Sequence, residues 1–176
     1  MMHVLRFARP VALALLTGLA GASLCAQSAA PPPRPPIYDP QADVKALMDA
    51  ALRTAKAEDR RVLLMFGANW CPWCHKLHAL FREDGPVSAY LKKHFVLVMV
   101  DVGETREKLL NRDFVNRFGI RDYGLPSLVV LDGDGRTLCT QSTGVLEKDG
   151  AHDPEKVLRF LSVQVAAALP EASPPK

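Results

Sequence analysis

Phe66-Gly67-Ala68-Asn69-Trp70-Cys71-Pro72-Trp73-Cys74 follows the apolar run Val62-Leu63-Leu64-Met65. The run is short, continuous and fit for a strand buried on both faces. The two cysteines after it stand two residues apart where a helix should begin. At that spacing they can close a small ring without moving the backbone, so dithiol and disulfide interconvert cheaply. The first cysteine gains most from the helix N-terminus, where unpaired N–H groups and the positive dipole end favour a thiolate. Cys71 is therefore read as the attacking thiol. Cys74, one turn further in and less exposed, is read as the thiol that resolves the mixed disulfide.

Outward from this stretch the chain alternates helices and strands. Residues 41–60 carry Val44, Leu47, Met48, Ala51 and Leu52 at helical spacing, which predicts an amphipathic helix. Residues 61–67 form the first strand and 71–81 the helix that opens at the cysteines. Gly85-Pro86 breaks the chain before a short helix over 87–94 and a second buried strand over 95–100. Residues 104–118 are expected to be helical, with the charges of 104–112 on its solvated face. A third strand over 126–131 meets a fourth over 136–142 through the tight turn Asp132-Gly133-Asp134-Gly135. Asp153-Pro154 caps a last helix running to about residue 168. The expected fold class is α/β: a mixed four-stranded sheet with helices on both faces, parallel at the crossovers and antiparallel at the hairpin. A short strand near residues 37–38 would add a fifth.

The segment from Phe66 to Cys74 resembles the active-site segment of the thioredoxin superfamily. A second stretch, Phe118-Gly119-Ile120-Arg121-Asp122-Tyr123-Gly124-Leu125-Pro126-Ser127, resembles the part of that family that carries its cis-proline. The likeness spans roughly residues 44–161, and it is nearest to exported thioredoxin-like proteins related to the C-terminal domain of DsbD. It implies a thioredoxin-like fold and a cis Leu125–Pro126 bond facing the cysteines. A cis proline makes a tight bend and withholds a donor. The backbone of Leu125 is then free to pair with an extended substrate segment. By the same resemblance, Gly144 and Val145 would form an apolar groove with Trp73. Trp70, Trp73, Leu125, Pro126 and Gly144 are thus the expected substrate-binding residues beside the catalytic Cys71 and Cys74.

The chain also departs from thioredoxin. The buried aspartate that helps take the proton from thioredoxin's resolving cysteine is matched by Met65, and its lysine partner by Leu97. The helix-kinking proline is matched by Ala79, and the inter-cysteine pair is Pro-Trp. Proton transfer at Cys74 must then use water or another group.

Residues 1–26 read as an export signal: a basic start with Arg6 and Arg9, an apolar run over 11–24, and cleavage expected after Ala26. An uncleaved membrane anchor is the alternative. Residues 27–40 are a Pro-rich leader, 41–169 the domain and 170–176 a disordered tail. The chain has 176 residues, ordinary composition and a net charge of +3. Loss of Arg6 and Arg9 leaves a nearly neutral body with no electrostatic footprint for nucleic acid. Export points to the periplasm, an oxidising compartment where thiol exchange is useful. The expected protein is a monomeric thiol–disulfide oxidoreductase, more reductase than oxidase, that needs no cofactor. Its partners would be disulfide-containing proteins and, for a reductase, a membrane electron donor.

Other readings stay open on the same residues. Cys71-Pro72-Trp73-Cys74-His75 fits the C-x-x-C-H attachment motif of c-type haem, and Cys71, Cys74, His75 and His78 could carry a metal. A non-catalytic module with a static disulfide is a third. Cys139 is read as a buried small hydrophobe, with a third redox thiol as its alternative.

Overall fold

A computed structural model describes residues 34–105 and 108–166. The expected signal over 1–26, the first residues of the leader and the tail over 170–176 lie outside the described residues.

The first helix, α1 (Val44–Ala57), starts where the Asp43 carboxylate accepts the Ala46 N–H at 2.9 Å. Strand β1 (Arg61–Gly67) follows, and every residue from Val62 to Gly67 is buried. Helices α2 (Pro72–Arg82) and α3 (Pro86–His94) lead to β2 (Phe95–Asp101). A short α4 (Arg112–Arg117) and a 3-10 turn (Ile120–Asp122) precede β3 (Ser127–Leu131) and β4 (Thr137–Ser142). A second 3-10 turn (Thr143–Leu146), a small hairpin of β5 (Glu147–Lys148) and β6 (Ala151–His152), and α5 (Pro154–Ala166) complete the described chain.

The sheet order is β2-β1-β3-β4. Strands β1 and β2 are parallel with Gly67 opposite Asp101, whereas β3 runs antiparallel to both β1 and β4. Side chains alternate across β1. Val62, Leu64 and Phe66 pack with Val44 and Met48 of α1, while Leu63 and Met65 pack with Leu77, Leu91 and Leu161 of α2, α3 and α5. Each such fully buried apolar side chain contributes about 1.5–3 kcal/mol relative to exposure. The two layers together fix β1, and so fix the loop that leaves its end. Among the described residues no helix is long and apolar enough to cross a membrane.

Two expectations are corrected. The helix over 104–118 is only Arg112–Arg117. The chain instead turns back on the end of β2: Gly103 pairs with Leu109 in an isolated bridge, and the Leu110 N–H donates to Val102 O at 3.1 Å. Gly103 at φ +92° and Asn111 at φ +50° are left-handed, which excludes a continuous helix across them. The Asn111 amide also donates to Asp101 O at 2.8 Å, tying the turn to the sheet. No fifth strand forms at 37–38 either. The Ile37 and Tyr38 N–H groups both donate to Asn69 Oδ1, at 2.8 and 2.9 Å, so that segment is held by a side chain.

Candidate active site

The loop after β1 turns straight into α2, with Cys71 as N-cap and Pro72 in the first helical turn. Proline suits that place because its missing N–H would be unpaired there in any case. Cys71 and Cys74 are joined in a disulfide with their Cα atoms 5.3 Å apart. The Cys74 N–H donates to Cys71 Sγ at 3.1 Å, so the sulfur of the first cysteine takes the capping role. Both residues are buried: Cys71 is 3% exposed and Cys74 not at all. The next shell is apolar, with Met65 and Leu77 in the same cluster as Cys74.

The two tryptophans differ in setting. Trp70 is 56% exposed and anchored by its indole N–H, which donates to Gly103 O at 3.0 Å. The Trp73 ring meets His152 edge-on at 5.4 Å between centroids, and Lys76 Nζ lies 4.1 Å from its centre. A cleft of about 540 Å³ opens beside Cys71, walled by Trp70, Trp73, Gly103, Leu109, Tyr123 and Leu125. The loop that replaces the expected helix therefore builds one wall of the site. The Leu125–Pro126 peptide is cis. Pro126 O accepts from Thr143 Oγ1 at 2.8 Å and from Thr143 N at 3.4 Å. Gly144 and the exposed Val145 lie on the turn Thr143–Leu146, next to that hydrogen bond. The walls of the cleft beside Cys71 do not include Gly144 or Pro126.

The histidines fall into different places. His75 Nε2 is 2.8 Å from Asn69 O. A carbonyl oxygen only accepts, so the ring carries its proton on that nitrogen. His78 is half-buried, and burial with Arg82 and His75 nearby pushes its pKa below the usual histidine value. Among the described residues no three His, Cys, Asp or Glu side chains converge as metal ligands would. Cys139 is half-buried on β4, opposite Val130, and burial pushes its thiol pKa up.

Sequence reasoning missed three residues. Asn69 holds the incoming segment at residues 37–38, Tyr38 is buried against the site, and His152 backs Trp73. Only the position of Asn69, inside the quoted stretch, gave any signal.

The profile of the thioredoxin-like domain family matches residues 48–161. The chain belongs to that family. This thioredoxin-like protein is 32% identical over 120 residues to the thiol:disulfide interchange protein DsbD of Ralstonia nicotianae, a match covering 68% of this chain and 19% of that protein. It therefore spans about a fifth of that relative's length. Among solved structures, a disulphide isomerase from Xylella fastidiosa superposes with TM-score 0.60 at 27% identity, over 72% of this chain and 95% of the other. The oxidised DsbD C-terminal domain of Neisseria meningitidis shares the fold, with TM-score 0.50 and 23% identity over 70% of this chain and 97% of that one. The cysteine pair of this thioredoxin-like protein stands at disulfide distance at the start of α2.

Proposed function

We propose that the protein is an exported periplasmic reductase of protein disulfides, working through Cys71 and Cys74. The observation that carries this reading is the disulfide closed across the first turn of α2, with Cys71 Sγ facing the helix N-terminus and accepting the Cys74 N–H. In the reduced protein the Cys71 thiolate attacks one sulfur of a substrate disulfide, and the other substrate sulfur leaves as a thiolate. Cys74, once deprotonated, attacks Cys71 Sγ and displaces the second substrate sulfur. Two electrons have then passed to the substrate, and the protein carries the Cys71–Cys74 disulfide. A membrane electron donor restores the dithiol.

The substrate segment runs past the cis Leu125–Pro126 bond, paired with the backbone of Leu125, and rests on Trp70, Trp73 and the Gly144 turn. Two features favour export: the basic and apolar pattern of residues 1–26, and the likeness to DsbD. The nearly neutral body suits a monomer that meets varied partners without a fixed charge preference. The likeness to the Xylella isomerase supports a second reading, disulfide isomerisation.

The equilibrium of the Cys71–Cys74 pair with glutathione separates the readings. A potential near about −270 mV supports reduction, one near about −180 mV isomerisation, and one near about −120 mV oxidation. A potential far below about −300 mV would instead mark a static structural disulfide.

A further inference from the structure

Tyr38 is 3% exposed, and among the described residues its buried hydroxyl has no hydrogen-bond partner. Such an orphan is costly, because a buried hydroxyl loses its water and gains nothing in return. Its position is specific. A methyl group built on Gly67 would collide with the Tyr38 hydroxyl and come within 2.6 Å of Cys74 Sγ. The hydroxyl and the sulfur therefore flank the same point above Gly67. Asp101 stands opposite Gly67 on β2, on the same face of the sheet, and is itself buried. Its Oδ1 is occupied by the Gly103 N–H at 2.8 Å.

The Met65 and Leu77 side chains in the same cluster as Cys74 offer no hydrogen bond to a charge. Met65 fills the position matched to thioredoxin's aspartate, and Leu77 lies in the same cluster. Yet opening the disulfide requires Cys74 to leave as a thiolate at a site with no solvent access.

We propose that the Tyr38 hydroxyl is the hydrogen-bond donor that receives the Cys74 thiolate when the Cys71–Cys74 disulfide opens. This rests on the oxidoreductase reading of that pair. An incoming thiolate bonds to Cys71 Sγ, and the electron pair of the broken S–S bond goes to Cys74. Tyr38 then donates its O–H to the new thiolate. No proton changes owner in this step. Burial, aided by the negative charge of Asp101, raises the phenol pKa well above its ordinary value, so Tyr38 keeps its proton and acts as a donor. A disulfide sulfur is a poor acceptor and a thiolate a strong one, so the orphan hydroxyl of the oxidised state is satisfied as the disulfide opens and Cys74 leaves as a thiolate. The device is a hydrogen bond made as the disulfide opens, and it speeds reduction.

The test is Tyr38→Phe in the otherwise unaltered chain. The phenyl ring keeps the packing, so no cavity forms. The rate constant for opening of the Cys71–Cys74 disulfide by glutathione should fall about tenfold, the size expected for losing a hydrogen bond to a charged group. The oxidised variant should melt no lower than the wild type. A constant within twofold of wild type overturns the proposal. Should the variant not fold, 13C-tyrosine-labelled wild type decides. The Tyr38 Cζ resonance must shift on reduction, and an unmoved resonance overturns the proposal. Wild type that never equilibrates with glutathione would sink the oxidoreductase reading itself, whereas normal wild type with an unchanged variant sinks only the role of Tyr38.

Discussion

Asn69 and Tyr38 bind each other reciprocally: the Tyr38 N–H donates to Asn69 Oδ1 at 2.9 Å, and Asn69 Nδ2 donates to Tyr38 O at 3.0 Å. The amide side chain imitates a strand edge and clips the segment before α1 onto the loop that carries the cysteines. A third bond, from the Ile37 N–H to the same Oδ1 at 2.8 Å, completes the clip. The placement of the Tyr38 ring over Gly67 depends on it.

Removal of this clip by Asn69→Ala should lower stability by about 2–3 kcal/mol, since three part-buried bonds contribute about 1 kcal/mol each. Urea unfolding of the oxidised protein measures it. An effect below about 0.5 kcal/mol, the range of neutral surface changes, would show that the clip does not hold the segment.

Gly67→Ala tests the crowding above β1. The added methyl meets Cys74 Sγ at 2.6 Å and Tyr38 Cζ at 2.7 Å, and neither a buried ring nor a disulfide sulfur can swing away. Overpacking of this kind costs about 1–3 kcal/mol. The loss should appear in the urea midpoint of the oxidised protein. Wild-type stability in this variant would contradict the close approach of Tyr38 and Cys74.

His152 should make stability depend on pH. It is buried behind Trp73, and burial, with Lys76 adding like charge, lowers its pKa from 6.5 to about 4. The unfolded chain takes up a proton below pH 6.5 that the folded protein refuses until pH is about 4. Stability attached to this group is therefore full above pH 6.5, falls as pH drops toward about 4, and levels off below that. A loss of about 3 kcal/mol across that window is expected. Melting curves of His152→Phe against wild type check it: the variant should have the flatter profile between those limits, and parallel profiles would refute the assignment.

The legible parts of the fold were those with a local signal. The unbroken apolar run placed β1 at Arg61–Gly67, and Asp153-Pro154 marked the start of α5 at Pro154. The cysteine pair was legible because its spacing, the apolar run before it and the helix start at Pro72 are all local features. Residues 104–118 misled because their composition suits a helix, while the turn is set by Gly103, Asn111 and the end of β2. Strands β5 and β6 have two residues each, too few for any period to show. Tyr38 was invisible as a site residue because its partner in the chain, Asn69, is 31 positions away. Only folding brings its hydroxyl to Cys74.

The most direct measurement of the central claim is intact mass after mixing single-cysteine variants with a disulfide-containing protein such as insulin. The Cys74→Ser variant keeps the attacking thiol and lacks the resolving one, so it should accumulate a mixed disulfide through Cys71. The Cys71→Ser variant should accumulate none. An adduct on Cys71→Ser alone, or on neither variant, would contradict the assignment of Cys71 as the nucleophile of this site.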